Sequence, residues 1–141
     1  MPLNEVLPAN IEQRLADLGD VIAAASAEVD FAYVFGSVAA GRQTPRSDVD
    51  LAVHVSGRAD RWAVRLEVAR AASKHLGTDA VDLVLLNTAP IALAGRVLTT
   101  RRVVLDRVPF ARHRYESLTA RMFQDFRIRE HRLLTGRYAR G

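Results

Sequence analysis

Cysteine is absent from this 141-residue sequence, and lysine occurs once. Without cysteine there can be no disulfide, no thiolate zinc site and no thiol nucleophile, and an oxidising compartment gains no support. No stretch approaches the roughly 20 apolar residues needed to span a bilayer. The first residues, MPLNEVLPANIEQR, also lack the basic and then apolar pattern of a signal peptide. We therefore expect a cytoplasmic protein that does not bind membranes.

The length and composition are typical of one globular domain, which we expect to span residues 1–141. Apolar residues make up 49% of the chain and charged residues 26%. The net charge of +4 is uneven, because residues 101–141 carry eleven basic and four acidic side chains. This arginine-rich tail could attract an acidic protein surface, nucleotide phosphates or nucleic acid. The alternative is a solvated helix face with no partner.

Helical and strand-like patterns alternate along the chain. The segments in order are a helix at 9–27 capped by Asn10, strands at 31–35 and 49–55, a helix from Asp60 to Leu76, a buried strand at 81–86, a helix from Pro90 to Leu98, an edge strand at 103–105 and a basic helix at about 109–135. Such alternation predicts an α/β (or α+β) fold with a small mixed sheet of three to five strands, covered by helices chiefly on one face.

Two helices carry apolar stripes that we expect to pack against the core or a partner. In the helix after Asp60 the stripe comprises Trp62, Leu66, Ala69 and Leu76. In the last helix the stripe is surrounded by arginines and comprises Tyr115, Leu118, Met122 and Phe126. The last helix is therefore the candidate for docking a partner protein, with a plain solvated surface as the alternative.

Asp48 and Asp50 lie two residues apart at the start of an apolar strand. Alternate strand residues share a face, so the two carboxylates would repel each other unless a cation neutralised them. Mg²⁺ prefers a few carboxylate oxygens together with substrate phosphate oxygens, which this pair would allow. Capping aspartates at a loop end are the alternative, because Ser47-Asp48 is also common turn chemistry.

Asp82 is a third carboxylate inside an apolar strand, where burial would require a partner. The metal site is the natural partner, and Asp82 would then orient or deprotonate an attacking hydroxyl. Asp79 competes for this role, but it follows Gly77-Thr78 and fits a turn better. Scattered histidines, with no spacing typical of a zinc site, occur at His54, His75, His113 and His131.

Gly36-Ser37 follows the first strand and could hold phosphate oxygens. Glycine lets the backbone approach an anion closely, and Ser37 adds a hydroxyl and an amide near the start of a short helix. Taken alone, the dipeptide could equally be an ordinary turn.

The combination of Gly36-Ser37, ten intervening residues and Asp48-Val49-Asp50 resembles the signature of the nucleotidyltransferase superfamily related to DNA polymerase β. The short length and the later VDLVLLN segment resemble its minimal nucleotidyltransferases, which act as antitoxins of HEPN-domain ribonuclease toxins. The resemblance implies a polymerase-β-like fold that uses ATP and Mg²⁺. It also implies transfer of AMP to a hydroxyl, expected to be that of a tyrosine, on a toxin bound in a hetero-oligomer.

The resemblance also assigns residue roles. It implies that Asp48 and Asp50 bind metal, that Asp82 completes the catalytic set and binds metal as well, and that the phosphates are held by Gly36, Ser37 and Ser47. The sequence departs from the family pattern G-S-R-A-R-G, because Val38 and Ala40 replace its two arginines. Arg42 and Arg46 lie in the same loop and could substitute for them.

Three other functions remain open. A non-catalytic antitoxin would neutralise its toxin by binding alone. A small-molecule nucleotidyltransferase would generally carry an added substrate domain, for which 141 residues leave little room. Direct nucleic-acid binding through the basic tail is not expected, because no aromatic-rich sheet motif accompanies it.

Overall fold

The computed structural model describes residues 7–139 of the chain. The elements in chain order are α1 (Ile11–Ala16), α2 (Leu18–Ala25), β1 (Val29–Phe35), α3 (Gly36–Ala39), β2 (Val49–Val55), α4 (Arg61–Leu76), β3 (Val81–Leu85), α5 (Ile91–Thr100), β4 (Arg102–Asp106) and α6 (Pro109–Ala139). Among the helices of residues 7–139, none is long and apolar enough to cross a membrane.

The four strands form one mixed sheet in the order β3-β2-β1-β4. Strand β1 pairs antiparallel with β2 and with β4, whereas β2 pairs parallel with β3. The predicted small mixed sheet is therefore confirmed. The prediction that β3 is a buried strand is wrong, since β3 lies at the edge and Asp82 is exposed. An apolar run such as VDLVLL does not distinguish an edge strand from a central one.

Helices cover both faces of the sheet, so the prediction of cover chiefly on one face is wrong. One face packs against α1, α2 and α4 and holds the larger core. Alternate residues of β1 project to the opposite face, where Phe31, Tyr33 and Phe35 form a second core with Leu86 and Val97. Helix α5 and the start of α6 cover these aromatic rings, which would otherwise be exposed to water.

The helix predicted at 9–27 is two helices that meet at Asp17. Asn10 precedes α1, but its side chain caps no backbone amide and instead accepts a hydrogen bond from Arg14 Nε at 3.0 Å. The change of direction accompanies a very close approach of α2 to β4, where a Cβ atom on Gly19 would overlap the Val104 carbonyl oxygen. Apolar periodicity alone does not report such a contact.

Helix α4 begins and ends as its sequence predicts. The Asp60 side chain accepts hydrogen bonds from the Trp62 and Ala63 amides, and Gly77 ends the helix in the left-handed conformation at φ +72°. The predicted stripe does not face the core at Trp62, which is 67% exposed, or at Leu66, which is 46% exposed, and contact of this stripe with a partner stays a prediction. The buried stripe consists of Val64, Val68, Ala72 and Leu76.

Helix α6 has 31 residues and would extend about 46 Å, but only its first half packs against the fold. Thr119 is buried there, whereas Leu118 and Met122 of the predicted stripe are half exposed. From 124 to 136 every residue except Phe126 is exposed. We call residues 124–136 the projecting segment.

The Glu116 carboxylate fastens α6 to the sheet and to the end of α5. It accepts hydrogen bonds from the Tyr33 hydroxyl at 3.1 Å, Arg101 Nε at 3.0 Å and Arg112 Nη1 at 2.9 Å. Burial favours the neutral acid, but the hydrogen bonds from Arg112, Arg101 and Tyr33 outweigh it and lower the Glu116 pKa. Burial and Glu116 together raise the pKa of Tyr33. The tyrosine therefore serves as a neutral donor.

Gly95 sets the distance between α5 and α6, because a Cβ atom there would run into the Phe123 ring. We expect Gly95→Ala to lower the free energy of unfolding by about 1–3 kcal/mol, since the ring and helix must move to make room. Gly136→Ala is the matched control, because Gly136 also lies in a helix but has open space around it. Urea unfolding would measure both, and equal effects would contradict this view of the α5–α6 contact.

Candidate active site

Gly36 joins the end of β1 to α3 and lies directly against Asp50. Its φ of +76° favours glycine, and a Cβ atom would overlap the Asp50 carboxylate oxygen Oδ2. Its amide donates a hydrogen bond to Thr100 Oγ1 at 2.8 Å. The Gly36 amide is therefore already engaged, and the predicted phosphate contact would have to come from neighbouring groups such as Ser37.

Asp50 is the centre of the carboxylate group. It pairs with Phe35 of β1 on one side and with Asp82 of β3 on the other. Neighbouring strands lie about 4.8 Å apart and paired residues share a face, so Asp50 and Asp82 are direct neighbours. Asp48 lies two residues earlier, just before β2. The structure thus brings the three predicted carboxylates to one end of the sheet.

The environment of Asp50 disfavours its charged form. Burial, followed by the charges of Asp82 and Asp48, raises the pKa of Asp50 to about 6. In their present positions, no three His, Asp or Glu side chains within residues 7–139 converge closely enough to hold a metal ion. Asp48 and Asp82 are exposed, so their carboxylates have room to turn towards Asp50.

Asp79, the competing candidate, is exposed and precedes β3. Its carbonyl oxygen accepts a hydrogen bond from the Val81 amide at 2.8 Å, within a tight turn. The parallel register pairs Asp50 with Asp82 rather than with Asp79. The pairing therefore favours Asp82 as the third carboxylate.

Some residues between β1 and β2 line a pocket, whereas others make hydrogen bonds within the loop itself. A pocket of about 300 Å³ is lined by Gly36, Ser37, Ala40, Arg42 and Thr100, and we call it the loop pocket. Arg46 is exposed and does not line it. The Ser47 hydroxyl accepts a hydrogen bond from the Thr44 amide at 2.8 Å, which closes the loop. A phosphate contact by Ser47 stays a prediction.

Val38 explains one departure from the family pattern. Its side chain is fully buried in the larger core, where an arginine would lose its hydration. Ala40, at the second departure, lines the loop pocket together with Arg42. Of the two candidate substitutes for the missing arginines, Arg42 is therefore the one that the structure places beside Ser37.

Helix α5 contributes residues that the sequence did not identify. Thr100 holds the Gly36 amide, and it also lines a second pocket of about 400 Å³. This second pocket, the α5 pocket, is lined by Phe35, Gly36, Leu93, Arg96, Thr99 and Thr100. The segment LAGRVLTT carries no motif, so its proximity to Gly36 emerges only from the fold.

The four-stranded mixed sheet, with Gly36-Ser37 directly after β1 and with Asp50 paired with Asp82, agrees with the expected nucleotidyltransferase fold. Residues 20–109 match the family described as polymerase beta, nucleotidyltransferase. The match covers all four strands and more than half of the chain. The chain belongs to this family and is therefore a nucleotidyltransferase.

Solved structures of toxin–antitoxin complexes are similar over nearly the whole chain. A complex with AMP-PNP contains a chain with 25% identity and a TM-score of 0.69, with coverage of 89% of this chain and 96% of that one. A variant MntA–HpeT complex contains a chain with 23% identity and a TM-score of 0.72, and the match covers 86% of this chain and 96% of that one. A complex of a tri-AMPylated Shewanella oneidensis HEPN toxin with MNT antitoxin contains a chain with 21% identity and a TM-score of 0.67. The match covers 89% of this chain and 97% of that one. A search of curated proteins found no match.

The raised pKa of Asp50 predicts how stability depends on pH without metal. A carboxyl with a pKa near 3.8 when unfolded and about 6 when folded favours the native state at low pH. This contribution is lost as pH rises from about 4 to about 6. Asparagine does not ionise, so Asp50→Asn should avoid this loss of stability. We expect its Tm at pH 7.5 in chelator to be about 4 °C above that of wild type, equivalent to roughly 1 kcal/mol.

Thermal melting between pH 3.5 and 7.5 would test this expectation. The difference between Asp50→Asn and wild type should shrink towards pH 4. Asp125→Asn, on the exposed part of α6, is the control and should match wild type throughout. A lower Tm for Asp50→Asn at pH 7.5 would mean that Asp50 supports the fold rather than straining it.

Proposed function

We propose that this chain works as a one-domain, Mg²⁺-dependent enzyme that transfers AMP from ATP to a hydroxyl group of a HEPN-type toxin and so acts as its antitoxin. The observation that carries the proposal is the placement of Asp50 between Gly36 and Asp82 at one end of the sheet. That arrangement combines a carboxylate group with a pocket next to Ser37, as transfer of a phosphoryl group requires.

The donor atoms suit a hard divalent cation. Asp48, Asp50 and Asp82 offer only carboxylate oxygens, the ligands that Mg²⁺ prefers. Burial and then the charges of Asp82 and Asp48 raise the Asp50 pKa, and a cation would relieve the repulsion among these carboxylates. When bound, Mg²⁺ would neutralise these carboxylates and the phosphate oxygens beside them.

The loop pocket supports a role in binding the two outer phosphates of ATP. Ser37 offers a hydroxyl and an amide, and Arg42 offers a guanidinium whose donor geometry matches phosphate oxygens. Held there, the outer phosphates would place the α-phosphate near Asp50. The acceptor oxygen would bond to the α-phosphorus, and the bond to the departing pyrophosphate would break.

Asp82 is suited to receive the proton of the attacking hydroxyl. It lies on the far side of Asp50 from Gly36 and is exposed at the sheet edge, where an acceptor on another protein can reach it. A general base must come within hydrogen-bond distance of the hydroxyl it deprotonates. An edge strand makes that approach possible, whereas a central strand would block it.

The similar complexes support a HEPN-type protein as the acceptor. One complex contains AMP-PNP and another contains an AMPylated HEPN toxin. The projecting segment supports a hetero-oligomer, because it leaves Leu133 and Leu134 exposed among the side chains of Arg127, Arg129 and Arg132. Since the reaction consumes ATP, we place it in the cytoplasm.

Replacement of Asp82 by Asn should separate binding from chemistry. We expect transfer to fall about a hundredfold or more, because the acceptor loses its base, while Mg²⁺-ATP affinity changes little. Asp79→Asn is the matched control and should retain transfer. The assay pairs calorimetric titration of Mg²⁺-ATP with transfer of labelled AMP to a purified HEPN-type toxin.

Other outcomes would reassign the residues. Full transfer by Asp82→Asn together with loss in Asp79→Asn would remove Asp82 from the mechanism. Loss of ATP binding in Asp82→Asn would show that this carboxylate holds the nucleotide's own metal. Tight toxin binding by wild type without any transfer would favour the non-catalytic antitoxin.

A further inference from the structure

The α5 pocket has no role in the reaction described above. Its volume of about 400 Å³ lies within the range of small-molecule binding sites. Phe35 and Leu93 give it an apolar wall, and Thr99 adds a hydroxyl. Arg96 is the one charged lining residue, and its side chain makes no hydrogen bond or ion pair within residues 7–139. The pocket therefore suits a flat, largely apolar group with polar edges.

The α5 pocket and the loop pocket share two lining residues, Gly36 and Thr100. The hydrogen bond from the Gly36 amide to Thr100 Oγ1 fixes this shared wall. A ligand whose charged end occupies the loop pocket could therefore extend into the α5 pocket without leaving the protein surface. ATP has such a shape, with a triphosphate at one end and a purine nucleoside at the other.

The order of residues along the sheet end separates the α5 pocket from the acceptor. Asp82 of β3 comes first, Asp50 of β2 is next to it, and Gly36 follows at the end of β1. The residues that line the α5 pocket come from the end of β1, from Gly36 and from α5, and none of them belongs to β2 or β3. An acceptor hydroxyl next to Asp82 would therefore not itself occupy this pocket.

We propose that the α5 pocket binds the nucleoside of ATP, with Phe35 and Leu93 against the base and Arg96 over its face or at the ribose hydroxyls. A guanidinium interacts favourably with an aromatic face. This inference rests on the proposed function, because it takes the loop pocket as the phosphate site. It makes Leu93 and Arg96 determinants of nucleotide affinity that the motif Gly36-Ser37 does not contain.

Filling the pocket tests the inference. In Leu93→Trp the indole would occupy the space, so we expect Mg²⁺-ATP affinity to fall at least tenfold in calorimetry. Affinity for Mg²⁺ with inorganic triphosphate, which has no nucleoside, should stay within twofold of wild type. Leu66→Trp, on the exposed face of α4, is the control and should bind both ligands as wild type does.

Arg96→Ala gives an independent measurement, because Arg96 is exposed and its loss should leave the fold intact even if Leu93→Trp does not fold. We expect Arg96→Ala to lower the affinity for Mg²⁺-ATP at least threefold and to leave the affinity for Mg²⁺ with inorganic triphosphate unchanged. Unchanged ATP affinity in both variants, or equal weakening of both ligands, would overturn the inference. A raised KM for the acceptor with normal ATP affinity would also overturn it. Failure of wild type to bind either ligand would refute the proposed function itself.

Discussion

The repulsion of three carboxylates at one end of the sheet is the constraint on which the site depends. Asp50 is half-buried beside Asp48 and Asp82, and this raises its pKa to about 6. A protein that needed only stability would place an apolar or amide side chain there. The strain is tolerated at the end of a sheet that packs against two hydrophobic cores, and such local cost is common where a fold is built to bind or react.

The surrounding contacts hold this strained group in place. Gly36 gives the Asp50 carboxylate room, and Thr100 holds Gly36 by its amide. The next residue, Arg101, donates a hydrogen bond to Glu116 of α6, which also accepts one from the Tyr33 hydroxyl. Helix α6 thus helps to position the site although it contributes no carboxylate to it. The packing of Gly95 against Phe123 keeps α5 and α6 close enough for this chain of contacts.

Much of this arrangement could be predicted because its signals are local. The alternation of β2 placed Asp48 and Asp50 together, and the apolar run of β3 marked Asp82 as unusual. Thr100, the edge position of β3 and the second covered face depend on contacts between distant segments, which periodicity does not report. The sequence does not identify the buried face of α4, because Trp62 and Leu66 have the same four-residue spacing as Val64 and Val68, and only packing against α2 and β3 determines which pair is buried.

We propose that these carboxylates serve a Mg²⁺-dependent transfer of AMP. The most direct measurement follows label from [α-³²P]ATP into the HEPN-type protein with wild type and with the double variant Asp48→Asn, Asp50→Asn, each with Mg²⁺ and with excess chelator. We expect label only with wild type and Mg²⁺. Equal labelling in chelator, or by the double variant, would contradict the account.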